Sequence, residues 1–179
     1  NGNVKGIDFL FKKNNIDAVH GEAKILGSTK IAIALNDGTN KEIEAKNIVI
    51  ATGSVPTSIP GAEISGDKII SSTEALSLDE VPNKLVVVGG GYIGLELGSV
   101  WSRLGSEVTV IEYLNRITPG MDNEVSSAFQ KILAKQGLNF LLNSQVISVT
   151  EDGSNASVVM KNRESNEEDV IKADYVLIS

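Results

Sequence analysis

Residues 85–112 read LVVVGGGYIGLELGSVWSRLGSEVTVIE, and the reading of this stretch decides the fold. Leu85, Val86, Val87 and Val88 form a short, uniformly apolar, β-branched-rich run. A strand covered on both faces has this pattern. Gly89, Gly91 and Gly94 follow at G-x-G-x-x-G spacing. Ile93, Leu97, Val100 and Leu104 then recur at helical offsets, which predicts a helix with that stripe on the core, closed by Gly105. Residues 108–111 make a second β-branched strand, which ends at Glu112.

Each part of the stretch has a physical job. Gly89 permits a tight strand-to-helix turn. Gly91 lets the backbone approach a pyrophosphate, and Gly94 lets helix and strand pack closely. The helix N-terminus presents unpaired N–H groups and the positive end of its dipole to that anion. Glu112, about 20 residues beyond the glycines, can accept hydrogen bonds from both hydroxyls of an adenosine ribose. Glycine turns are common, and glycines at this spacing can serve only to turn a chain. The ordered context of strand, turn, helix, strand and acid is what points to a dinucleotide. A 2′-phosphate would be repelled by the Glu112 carboxylate, so the stretch favours NAD over NADP. Tyr113, Leu114 and Asn115 supply no cation, and Arg116 reads as a solvated loop charge.

The 179 residues suffice for one ordinary domain or two small lobes. A net charge of −7 with scattered Lys and Arg argues against a nucleic-acid or anionic-membrane surface. With no cysteine, the chain has neither disulfides nor thiolate nucleophiles, and a single histidine, His20, excludes multi-histidine metal sites. No apolar run approaches the ~20 residues of a membrane helix, and no secretory h-region opens the chain, so the expected compartment is the cytoplasm. The first residue is not Met and the last residues form an apolar strand, which reads as a piece of something longer.

In chain order, residues 4–13 carry Ile7, Leu10 and Phe11 on one face of a short helix. Residues 16–20 could form a short strand. Residues 23–26, 31–35 and 41–44 read as an antiparallel meander, with a hairpin signal at Asp37-Gly38. Residues 47–51 read as a buried strand that leads into Thr52, Gly53 and Ser54. Small residues at that position can touch a nucleotide or simply let a strand exit into a loop; taken alone they decide neither. Pro56, Pro60 and Gly61 mark an extended connector, and residues 71–76 a short helix with a hydroxyl N-cap. The lobe boundary is expected near residue 79. Beyond Glu112, Asp122 caps a helix whose Val125, Phe129, Ile132 and Leu133 should face the core, with Gly137 at its end. Residues 140–142 read as a third parallel strand. Residues 145–150, 156–161 and 168–171 read as a second meander, and 175–178 as a returning apolar strand. The fold class is therefore α/β: a Rossmann-like domain with a parallel sheet and an antiparallel meander, plus part of a second lobe.

These motifs, with KNIVIATGSVPTSIPG and SSTEALSLDEVP before them and LNRITPGMDNEVSSAFQKILAKQGLNFLLNSQV after, resemble the dihydrolipoamide dehydrogenases. These are FAD-dependent pyridine nucleotide-disulfide oxidoreductases of 2-oxoacid dehydrogenase complexes. The resemblance covers essentially the whole chain. It implies that dihydrolipoamide, carried on a lipoyl domain, reduces a redox disulfide, that electrons pass to FAD, and that NAD takes the hydride. It also implies a homodimeric parent. Residues 1–78 would belong to the FAD-binding domain and 79–179 to the NAD-binding domain. Gly89, Gly90, Gly91, Tyr92, Ile93, Gly94, Leu95 and Glu96 would form the NAD pyrophosphate loop and the nicotinamide approach. Glu112 would hold the ribose and Val146 would pack on the adenine. Ala23, Thr52, Gly53 and Ser54 would contact FAD. Glu96, taken to face the cofactor, would lie near the nicotinamide; otherwise it is a carboxylate in the first turns of a helix. Tyr92 matches a residue that covers the flavin in related reductases. Trp101 reads as core and His20 as structural.

The departures are as informative. The family's first dinucleotide motif, its paired cysteines and its C-terminal domain with catalytic His and Glu are absent, so no catalytic residue is expected in this chain and no lipoamide turnover from it alone. Other flavin disulfide reductases, such as mercuric reductases or NADH oxidases, and a non-catalytic NAD-binding module are the competing readings.

Overall fold

The chain divides after Gly53. The computed structural model, which describes residues 2–179, forms one unit up to that glycine and a second over Ser54–Ser179. The first unit contains helix α1 (Gly2–Lys13) and strands β1 (Gly21–Ile25), β2 (Lys30–Leu35) and β3 (Asn40–Glu44). The strands pair antiparallel in the order β1-β2-β3, as the Asp37-Gly38 turn predicts. Among the described residues of this unit Ile33 is the one buried hydrophobic residue, and α1 buries none.

Two expectations fail in this unit. Residues 16–20 form no strand, and neither do residues 47–51. The Ile48-Val49-Ile50-Ala51 run is open to solvent, with Val49 86% and Ile50 70% exposed. A β-branched run becomes a buried strand only when neighbouring strands satisfy its backbone, and none of the described residues pairs with this one.

The second unit contains β4 (Ile69–Ile70), α2 (Ser72–Ala75), β5 (Lys84–Val88), α3 (Tyr92–Leu104), β6 (Glu107–Ile111), α4 (Asn123–Lys135), β7 (Asn139–Leu141), β8 (Ser144–Glu151), β9 (Ala156–Asn162), β10 (Glu168–Ala173) and β11 (Tyr175–Ile178). A five-stranded parallel sheet runs β4-β11-β5-β6-β7, and a three-stranded antiparallel sheet runs β10-β9-β8. The expected α/β class, with parallel sheet and meander, is what forms. Strand β5 lies between β11 and β6. Its Leu85 and Val87 join the helix-side core with Leu95, Trp101, Leu133 and Leu138. Its Val86 and Val88 join the meander-side core with Val149, Val158 and Met160. Burial on both faces explains why the run carries no alternation.

The boundary near residue 79 is corrected by the packing of residues 54–78. Ile69 and Ile70 pair with Val176 and Leu177, and the Trp101 Nε1–H donates to the Ala75 carbonyl at 3.2 Å. Pro/Gly punctuation marked the connector but could not show which unit it joins.

The expected helix stripe is also corrected. On α3 the buried positions are Gly94, Leu95, Leu97, Gly98 and Trp101, whereas Ile93, Val100 and Leu104 are exposed. A Cβ on Gly98 would lie 3.3 Å from Val108 Cγ1, so glycine lets the helix settle onto β5 and β6. Counting apolar side chains misses a core face built on glycine. In α4, Leu133 is buried and Phe129 partly so, but Val125 and Ile132 are exposed, and Ser126 takes the inner position. Its hydroxyl donates to the Thr118 carbonyl at 3.2 Å, which satisfies a polar group in that place. Asp122 caps α4 through the amides of Glu124 and Val125, as expected. Among the described residues, no helix is long and apolar enough to cross a membrane.

Candidate nucleotide-binding site

The site lies at the carboxyl ends of β5, β6 and β11, the edge at which open α/β sheets bind ligands. Thr57, Ile59, Val88, Gly89, Ile111, Glu112, Tyr113, Ser144, Gln145, Val146, Ile178 and Ser179 line a cavity of about 300 Å³. That volume suits a nucleoside-sized group rather than a whole dinucleotide.

The turn is built from residues with no room for a side chain. Gly89 has φ +112°, and its N–H donates to the Ile111 carbonyl at 2.9 Å. A Cβ there would collide with the Ser179 carbonyl. A Cβ on Gly94 would come within 2.9 Å of the Gly89 carbonyl oxygen and of Val87 Cγ1. At Gly91, by contrast, nothing lies within 4 Å. This is the open approach that an anion needs if it is to reach the backbone. Gly91 is also the N-cap of α3, and no side chain caps the helix there. The first amides of a 13-residue helix therefore face the open side of the turn.

Glu112 is 8% exposed, and both its oxygens are engaged. Oε2 accepts from the Gly90 N–H at 2.6 Å and Oε1 from the Leu114 N–H at 2.7 Å. The Gly90 carbonyl accepts from the Thr118 N–H at 2.8 Å, and Ile117, fully buried, packs under Gly90. The carboxylate thus ties the glycine turn to the end of β6. A carboxylate has about four lone-pair positions, so two backbone donors leave capacity for two hydroxyls. Neither Thr118 nor Ile117 stands out in the sequence, where this stretch has no periodicity.

The remaining candidate residues fall into different places. Val146 shares the cavity with Glu112. Tyr92 is 72% and Ile93 43% exposed, both outside the cavity, and Leu95 is buried on the inner face of α3. Glu96 is exposed and lines a groove between α3 and α4 with Ser99, Phe129 and Ile132. Arg116 donates to the Pro119 carbonyl at 2.8 Å and so holds its own loop. Ala23 lies in β1 and Thr52 and Gly53 at the end of the first unit, while Ser54 opens the second. Thr52, Gly53 and Ser54 are all exposed, and Gly53 has φ +78°. Among the described residues, no group of three His, Cys, Asp or Glu side chains could hold a metal ion.

Comparison with known proteins gives a consistent picture. A family profile described as pyridine nucleotide-disulphide oxidoreductase matches residues 2–179. The chain is 49% identical over 178 residues to dihydrolipoyl dehydrogenase 3 of Pseudomonas putida, covering 99% of this chain and 38% of that protein. It is 51% identical over 180 residues to the mitochondrial dihydrolipoyl dehydrogenase of Dictyostelium discoideum, covering 99% and 37%. It thus spans a little over a third of the length of these relatives. Among solved structures, the flavoprotein disulfide reductase RclA of Escherichia coli superposes with a TM-score of 0.76 at 29% identity, over 97% of this chain and 40% of that one. LpdA of Mycobacterium tuberculosis gives 0.75 at 26% identity, over 92% and 36%.

Proposed function

Because the chain belongs to the pyridine nucleotide-disulphide oxidoreductase family, we propose that it is the NAD(H)-binding central part of a dihydrolipoyl dehydrogenase. The observation that carries this reading is Glu112, held in the cavity beside the Gly89 turn by two backbone amides. In this reading Glu112 accepts the two hydroxyls of the adenosine ribose. The amides at the start of α3 bind the pyrophosphate across the open face of Gly91. Val146 and Tyr113 supply an apolar surface for the adenine. The carboxylate repels a 2′-phosphate, which selects NAD over NADP.

When bound, FAD, nicotinamide and a redox disulfide supply the electron-transfer chemistry. The chain has no cysteine, so the disulfide must come from sequence other than these residues. The FAD contacts proposed for Ala23, Thr52, Gly53 and Ser54 rest on the resemblance alone. So do the role of Tyr92 over the flavin, a homodimeric parent, and dihydrolipoamide on the lipoyl domain of a 2-oxoacid dehydrogenase complex as the partner. The cytoplasm stays the proposed compartment, although several relatives are named mitochondrial. The likeness to RclA supports a second reading, another flavin disulfide reductase. The cysteine pattern of the parent protein separates the two.

Titration calorimetry of the chain with NAD, NADP and FAD tests the proposal, together with Glu112→Ala and the milder Glu112→Gln. NAD should bind in preference to NADP. Glu112→Gln should weaken NAD about tenfold or more, as expected for lost hydrogen bonds to a charged acceptor. A folded chain that fails to bind NAD, or that binds it equally well without the carboxylate, contradicts the proposal.

A further inference from the structure

The loop after Glu112 is gripped from an unexpected direction. The turn between β9 and β10, far along the chain, folds back onto it. Arg163 in this turn donates from Nη1 to the Tyr113 carbonyl at 3.0 Å, and its guanidinium carbon sits 3.8 Å from the centre of the Tyr113 ring. Its backbone N–H donates to the Asn143 carbonyl at 2.7 Å, and the Asn143 N–H donates to the Leu114 carbonyl at 2.9 Å. Leu114 in turn donates to Glu112. The turn is itself braced, since Asn162 Oδ1 accepts from the amides of Glu164 and Ser165 at 2.9 and 3.0 Å.

Tyr113 lines the cavity and Arg163 does not. Arg163 therefore touches the site only through Tyr113 and its neighbours. We propose that Arg163 is a positioning residue for the nucleotide site: it holds the Tyr113 ring and carbonyl so that Tyr113 walls the cavity beside Glu112. This rests on the reading of the cavity as the adenosine end of an NAD site. A planar guanidinium can stack on a ring and donate to a carbonyl at the same time, which a lysine ammonium cannot reproduce. Arg163 lies 50 residues from Tyr113 in sequence. The cation absent from the residues just after Glu112 is thus supplied by the fold, and it is engaged with Tyr113 rather than placed to receive a phosphate.

The test measures NAD affinity by calorimetry for the chain and for Arg163→Ala, Arg163→Lys, Tyr113→Ala and the double Arg163→Ala/Tyr113→Ala variant. Arg163 is exposed, so its removal should leave the fold intact, which circular dichroism checks. Arg163→Ala should weaken NAD about fivefold, the scale of an exposed cation–π contact, and Arg163→Lys should recover only part of that. The double variant should lose less than the product of the two single losses, because part of the arginine's effect runs through the ring that Tyr113→Ala already removes. Unchanged affinity in Arg163→Ala, or losses that multiply in the double variant, would overturn the inference while leaving the NAD site standing. Failure of the unsubstituted chain to bind NAD would overturn the functional reading, and the inference with it.

Discussion

Two runs of similar composition meet opposite fates in this molecule. Leu85-Val86-Val87-Val88 lies between β11 and β6 and is buried along its length. Ile48-Val49-Ile50-Ala51 belongs to no sheet, and its central residues are mostly exposed. Side-chain hydrophobicity does not distinguish them. What differs is the supply of neighbours: the second unit brings a strand to each edge of β5 and a layer of side chains to each face, and the first unit brings neither to residues 48–51. A strand is a property of its partners as much as of its sequence.

The largest expected effect breaks or confirms this contrast directly. Leu85→Ala should destabilise the second unit by about 3 kcal/mol, the cost of truncating a leucine in a closed core. Ile50→Ala should change stability by no more than about 0.5 kcal/mol, as for an exposed side chain. Urea unfolding followed by far-UV circular dichroism and by the fluorescence of the single tryptophan, Trp101, reads both. A comparable loss from the two substitutions would mean that residues 48–51 are buried after all.

A smaller effect sharpens the position of the boundary. Ser71 caps α2: its hydroxyl oxygen accepts from the Thr73 N–H at 3.1 Å, and its own O–H and N–H donate to Glu74 at 2.6 and 2.8 Å. Ser71→Ala should cost about 1 kcal/mol, and the loss should appear in the Trp101 signal, because α2 packs on the second unit. A loss that leaves that signal unmoved would return residues 54–78 to the first unit. The Ser71 hydroxyl, and then its amide, hold the Glu74 carboxyl below the usual carboxylate range. The contribution is therefore present above the ordinary glutamate range and lost as pH falls through the lowered value. Glu74→Gln should remove that part of the acid sensitivity.

The parallel unit was legible because strand, glycine turn, helix and acid occur in order, each with its own chemical signature. Glu112, the Asp122 cap and the core position of Trp101 follow from residue type and spacing, and Val146 from the family resemblance. The rest required the fold. Gly94 and Gly98 form the inner face of α3 because they lack side chains, which an apolar stripe cannot register. Thr118 and Arg163 reach the Gly90–Leu114 region only through tertiary contacts, from segments with no periodicity of their own.

The account's central claim is that a dinucleotide enters at the Gly91 face, with its ribose on Glu112. An amide ¹H–¹⁵N map of the chain, recorded with and without NAD, tests it residue by residue. The account predicts shifts at Gly90, Gly91 and Tyr92, at Leu114, and at Gln145 and Val146, with residues 2–53 unmoved. Shifts confined to the first unit, or saturating NAD with no change at Gly90 and Leu114, would contradict it.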